Sequence, residues 1–102
     1  MKTPDKIDAF ITIVTVLTYK SELIQEFLFR LNKMMPDNFV DYEIIAIDID
    51  STNDTENIMS DILLKIPSIR YIKLAKNCDH GTAWLTGMQN AIGDFVVTVN
   101  IF

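Results

Sequence analysis

This 102-residue chain is sparing with the residues that build specialised chemistry. It has one cysteine, Cys78, so an internal disulfide and a cysteine-based zinc cluster are both excluded. One histidine, His80, excludes a histidine cluster. With only three glycines, neither G-x-G-x-x-G nor a G-K-[ST] phosphate loop can be assembled from the residues present. Lys and Arg number 9 against 14 Asp and Glu and form no stripe, which disfavours binding to a nucleic-acid backbone. No apolar run approaches the roughly 20 residues that cross a bilayer, and Met1–Lys6 lacks the apolar core of a signal peptide. These lacks lead to the expectation of a single intracellular domain over residues 1–102, with 1–8 as a flexible tail.

What the chain does have is apolar surface. Hydrophobic residues make up 49% beside 23% charge, with a mean hydropathy of +0.20. That balance fits a buried sheet rather than a disordered segment. Tyr42 to Thr55 is the organising stretch. Ile44 to Ile47 is a short β-branched run suited to a strand covered on both faces, and it stops at Asp48. Ser51 to Thr55 then opens a helical pattern.

The same unit recurs along the chain. Ile11–Leu17 reads as a first strand, followed by a loop at Thr18-Tyr19-Lys20. Ser21 is placed to cap a helix whose apolar face is Ile24, Phe27, Leu28, Leu31 and Met35, ending at Pro36-Asp37-Asn38. A second helix starts near Asn53 to Thr55, carries Ile58, Met59, Ile62, Leu63 and Ile66, and closes at Pro67. Ile69–Leu74 reads as an edge strand blunted by Arg70 and Lys73. A polar loop, Lys76 to Gly81, leads to a third helix with the face Trp84, Leu85, Met88, Ala91 and Ile92, and Gly93 as its C-terminal cap. Phe95–Val99 reads as a fourth strand.

The order β-α-β-α-β-α-β calls for right-handed crossovers and parallel pairing. The natural assembly is an α/β, Rossmann-like open parallel sheet of order 3-2-1-4 with helices on both faces. The carboxyl ends of its strands then gather Thr18, Tyr19, Asp48, Asp50, the loop from Lys76 to Gly81, and Asn100 to Phe102 on one edge. Asp48 and Asp50 could contact a ligand there or cap helix two; position alone does not choose. Gly81 could let backbone N–H groups approach an anion. His80 reads as a solvated side chain, Cys78 as a small, partly buried residue, and Trp84 with the methionines as core. Two acidic residues near one strand end also occur in receiver domains, but the other strand spacings and the lack of a second acidic strand end argue against that fold.

Four segments carry a resemblance: I-T-I-V-T-V-L-T-Y-K-S-E, Y-E-I-I-A-I-D-I-D-S-T-N-D-T, N-C-D-H-G-T-A-W-L-T-G-M and A-I-G-D-F-V-V-T-V-N. Together, from about Ile11 to Phe102, they resemble the N-terminal half of family 2 glycosyltransferases. The third is closest to the branch with dolichol-phosphate mannose synthases. I-D-I-D-S-T-N-D-T is similar to the family's V-D-D-G-S-T-D-G-T. The resemblance implies a GT-A nucleotide-binding half, a UDP- or GDP-linked sugar donor, a divalent magnesium or manganese ion, and a setting in the cytoplasm, at the inner face of a membrane in a longer protein.

By position, the resemblance places Thr18, Tyr19, Asp48, Asp50 and Gly81 at the donor nucleotide. Asp48 matches the first Asp of the family pair. Asp50 stands at the family's Gly, Ile49 at the second Asp, and His80 where a Lys is common. Gly87, Gly93 and Asp94 match structural positions. The metal-binding Asp-x-Asp falls on Asn100, Ile101 and Phe102, so neither carboxylate is present. Two readings follow: the donor-binding half of a glycosyltransferase, or an inactive glycosyltransferase-like domain that assembles with a partner. The apolar fourth strand, exposed at the sheet edge, predicts pairing with a second copy or with a missing C-terminal half.

Overall fold

The computed structural model describes residues 6–17, 21–49, 53–74 and 79–99. Four parallel strands, β1 (Ile7–Leu17), β2 (Phe39–Asp48), β3 (Ile69–Lys73) and β4 (Phe95–Thr98), lie in the order β3-β2-β1-β4. They alternate with α1 (Ser21–Asn38), α2 (Asn53–Lys65) and α3 (His80–Asn90). This is the expected sheet, with the arginine- and lysine-bearing β3 at one edge. No helix among the described residues is long and apolar enough to cross a membrane.

The centre of the sheet is dry because β1 and β2 send apolar side chains to both faces. Ile11, Ile13 and Leu17 join Ile44 and Ala46 on one face, beneath Ile24, Leu28, Leu31 and Met35 of α1 and Met59 and Ile62 of α2. Val14, Val16, Ile45, Ile47 and Ile49 fill the other face against Ala83 of α3. Each of these buried side chains contributes roughly 1.5–3 kcal/mol relative to exposure. This is why the β-branched runs, rather than the loops, fix the register from Phe10↔Asp41 to Leu17↔Asp48.

Several boundaries differ from the sequence expectation. β1 begins at Ile7, paired with Phe39, so residues 7 and 8 belong to the sheet and not to a tail. Pro36 sits inside the last turn of α1, and β2 follows directly at Phe39, five residues before its apolar run begins at Ile44. The capping role expected of Ser21 lies outside what is described of its side chain.

The third helix departs most. Leu85, Met88 and Ile92, expected on its buried face, are 51%, 45% and 69% exposed. Its buried residues are Ala83 and Gly87, with Trp84 and Ala91 partly covered. A Cβ on Gly87 would collide with Cγ1 of Val14, so the helix backbone lies directly on β1. Small residues make the contact, and the large ones flank it. Nor does Gly93 cap this helix. Ala91 does, its N–H donating to the Met88 carbonyl. Gly93 instead passes so close to β1 that a Cβ would lie 2.6 Å from Thr12 Oγ1 and 2.8 Å from the Phe10 carbonyl oxygen.

Candidate functional site

The carboxyl edge is set by three residues in register, Leu17, Asp48 and Lys73, at the ends of β1, β2 and β3. Asp48 is fully buried. The Tyr71 hydroxyl donates to its Oδ2, and the Leu74 N–H donates to its carbonyl oxygen at 2.8 Å. A carboxylate so enclosed orders the ends of β2 and β3. Lys73 forms an ion pair with Glu56 in the first turn of α2, clasping that helix start to the same edge.

Ile49 follows, 7% exposed, within the apolar cluster that Ala83 completes. The position that pairs with Asp48 in the family motif therefore belongs to the hydrophobic core under α3.

The amino ends of α2 and α3 lie beyond the ends of the strands they follow, and their partial positive charge suits an anionic ligand. α3 starts at His80, so Gly81 is in its first turn rather than in the preceding loop. Its N-cap is Asp79, in extended conformation, whose Oδ1 accepts from the Thr82 N–H at 2.6 Å. That hydrogen bond holds the Asp79 carboxyl below its ordinary range. The cap occupies a backbone donor that an anion could otherwise use. Thr18, Tyr19, Asp50 and the metal position at Asn100, Ile101 and Phe102 lie outside the described residues.

One polar constellation went unread in the sequence. Glu43, in the middle of β2, is 5% exposed. Its Oε2 accepts from Thr12 Oγ1 at 2.7 Å and from the Ile92 N–H at 2.9 Å, and its Oε1 accepts from Arg70 Nη1 at 3.0 Å. Arg70 also donates to the Asn90 carbonyl at 2.8 Å, and the Gly93 N–H donates to Thr12 Oγ1 at 2.9 Å. Burial pushes the Glu43 carboxyl up, but the Ile92, Thr12 and Arg70 donors outweigh it and leave the group lowered. The available signal was a lone carboxylate inside an otherwise apolar parallel strand, which demands partners. The network lies far down the strands from Asp48, so it anchors the exit of α3 and does not touch the candidate site.

Residues 12–100 match the family model for glycosyl transferase family 2. The chain belongs to this family. It is 29% identical over 90 residues to a protein of Mycobacterium tuberculosis (strain CDC 1551 / Oshkosh) described among glycosyltransferases, a match covering 88% of this chain. In fold it is similar to the mannosyltransferase PcManGT of Pyrobaculum calidifontis, solved in complex with GDP-Man and Mn2+. There the TM-score is 0.69 at 18% identity over 92% of this chain. The chain spans 26% of the length of the mycobacterial relative and 28% of that of the mannosyltransferase.

A divalent ion of the kind bound by that mannosyltransferase finds no donor set among the described residues. Asn100, Ile101 and Phe102 contain no carboxylate, and the described residues hold no group of three or more His, Cys, Asp or Glu that could ligate a metal. An amide oxygen alone supplies no charge to oppose a hard cation. The described residues and the Asn100 to Phe102 position do not fit the metal.

Proposed function

We propose that this family 2 domain is the donor-binding unit of a glycosyltransferase, taking the nucleotide part of a UDP- or GDP-linked sugar at the carboxyl edge of its sheet. The observation that carries this reading is the convergence of the β1, β2 and β3 ends with the N-termini of α2 and α3 on that edge. Thr18, Tyr19, Asp50 and the first turn of α3 at Gly81 are the proposed contacts. Asp48 serves as a positioning residue, buried and fixed by Tyr71. In a protein of the relatives' length, an acceptor hydroxyl would attack the sugar C1 and release the nucleoside diphosphate. The groups that would activate that hydroxyl are not assigned to this chain.

A second reading has its own observation. Ile49 is core where the family motif has a carboxylate, and Asn100 to Phe102 has no carboxylate at the metal position. Both favour a domain that has kept the fold and lost catalysis.

Isothermal titration of the 102-residue chain with UDP and with GDP, each with and without Mn2+, separates the two. Saturable binding of either nucleotide that Gly81→Val weakens supports the donor site. No heat with either nucleotide under either condition favours the inactive domain. Equal affinity with and without Mn2+ is expected, because neither the described residues nor Asn100 to Phe102 offer the ion a carboxylate set.

A further inference from the structure

Tyr71 and Thr15 stand in the same relation to Asp48. Ala46 on β2 is paired with Thr15 on β1 and with Tyr71 on β3, and Asp48 lies two residues further along β2. Paired residues of a parallel sheet share a face, as do residues two apart on one strand, so all four belong to the face under α1 and α2. Each flanking hydroxyl is therefore one diagonal step from the Asp48 carboxylate. Tyr71 is long enough to take that step and donates to Oδ2. Thr15 is too short. Its side chain is fully buried, and its Oγ1 is, among the described residues, the one buried side-chain oxygen or nitrogen without a hydrogen-bond partner. A buried hydroxyl left so costs stability, and a valine of the same shape would serve an apolar core better.

We propose that Thr15 is a second positioning residue for Asp48, joined to its carboxylate by one buried water lodged over Ala46. The register supplies the span. Strands about 4.8 Å apart, with a rise of about 3.3 Å per residue, put the Cβ atoms of Thr15 and Asp48 about 8 Å apart. Less the reach of the two side chains, the gap is about the 5 Å that two hydrogen bonds through a single water cover. The sequence supplies the room. Ala46 is the one small side chain among Ile44, Ile45 and Ile47, and it borders both polar groups. The chemistry supplies the partners. A carboxylate has about four lone-pair sites and a hydroxyl both donates and accepts, so a water between them gains the polar contacts that buried waters need. A carboxylate held from β1 as well as from β3 keeps one orientation at the carboxyl edge. The effect of that on a nucleotide rests on the donor-binding reading above; the water site itself does not.

A high-resolution crystal structure of the 102-residue chain should show a water within hydrogen-bond distance of both Thr15 Oγ1 and the Asp48 carboxylate. Thr15→Val keeps the shape and removes the hydroxyl, so it should lose that water and unfold at a lower urea concentration than the parent chain. It should also weaken binding of UDP or GDP, whichever the parent takes, several-fold. Thr15→Ser, which keeps the hydroxyl, should keep the water and recover most of that affinity. A dry site overturns the proposal. So does a Thr15→Val chain as stable as the parent or more so, because that is the behaviour of a hydroxyl with nothing to bind. Nucleotide affinity that Thr15→Val leaves unchanged overturns it as well. A parent chain that binds neither nucleotide overturns the donor reading instead, and the water and the urea midpoints then decide the link between Thr15 and Asp48 without it.

Discussion

Thr12 and Glu43 face each other at a directly paired position of β1 and β2, and the threonine hydroxyl donates to the buried carboxylate at 2.7 Å. The same hydroxyl accepts from the Gly93 N–H, so one side chain joins the sheet centre to the segment leaving α3. Asp94 follows at once and exchanges hydrogen bonds with the backbone of Phe10, its N–H donating at 2.7 Å. β4 therefore starts from a position fixed by a buried charge on a strand it does not touch.

Removing that charge should be costly. Glu43→Ala leaves Thr12, Arg70 and the Ile92 N–H without their acceptor, and breaking a buried ionic network costs about 3–5 kcal/mol. Arg70 is 43% exposed and can turn to water, so the lower end of that range is expected. Thr12→Val, which removes a single hydroxyl from the same network, should lose less, about 1–2 kcal/mol. Urea denaturation of the two variants measures both.

Acid should act through the same group. The folded Glu43 carboxyl titrates below its ordinary 4.5. Its contribution is thus fully present above that value and is lost as pH falls through the lower folded one. Stability measured from pH 7 down to 3 should fall on the acid side. Glu43→Gln should be less stable at neutral pH and show a shallower acid limb. An unchanged limb in that variant would assign acid sensitivity to other carboxylates.

At Gly87 two effects of opposite sign compete. Alanine gains about 1 kcal/mol in helix propensity over glycine. Its Cβ, however, collides with Val14, a stiff β-branched side chain that is fully buried, and overpacking of this kind costs about 1–3 kcal/mol. Gly87→Ala is expected to destabilise on balance, and Gly87→Val more so. In a double-mutant cycle, Val14→Ala should relieve the cost of Gly87→Ala, giving a coupling energy above the roughly 0.5 kcal/mol seen for independent sites.

Ile49→Asp restores the residue of the family motif at a site that has become core. Burying an unpaired carboxylate beside Ala83 should cost several kcal/mol at pH 7, and less at pH 4 where the group can take up a proton. Thermal melts at the two pH values check the sign. If nucleotide binding appears in this variant and not in the parent chain, the loss at position 49 is what emptied the site.

The order of elements, the parallel sheet and its 3-2-1-4 arrangement were legible because β-branched runs and helical spacing report them locally, and short crossovers leave few topologies open. The charged β3 edge followed from the interleaving of Arg70 and Lys73 with apolar residues. The packing face of α3 did not. Apolar spacing pointed to Leu85, Met88 and Ile92, but a helix lying directly on a strand accepts only Ala83 and Gly87 at the contact, and that distance is set by the whole assembly. Glu43 found its partners on β1, on β3 and beyond α3, at sequence separations of 31, 27 and 49 residues that no local pattern connects. Asp48 shows the division most clearly. The sequence determined that a carboxylate ends the central strand. Only the tertiary structure decided that Tyr71 and the layers around it would enclose that carboxylate, because burial belongs to the assembled layers and to no residue alone.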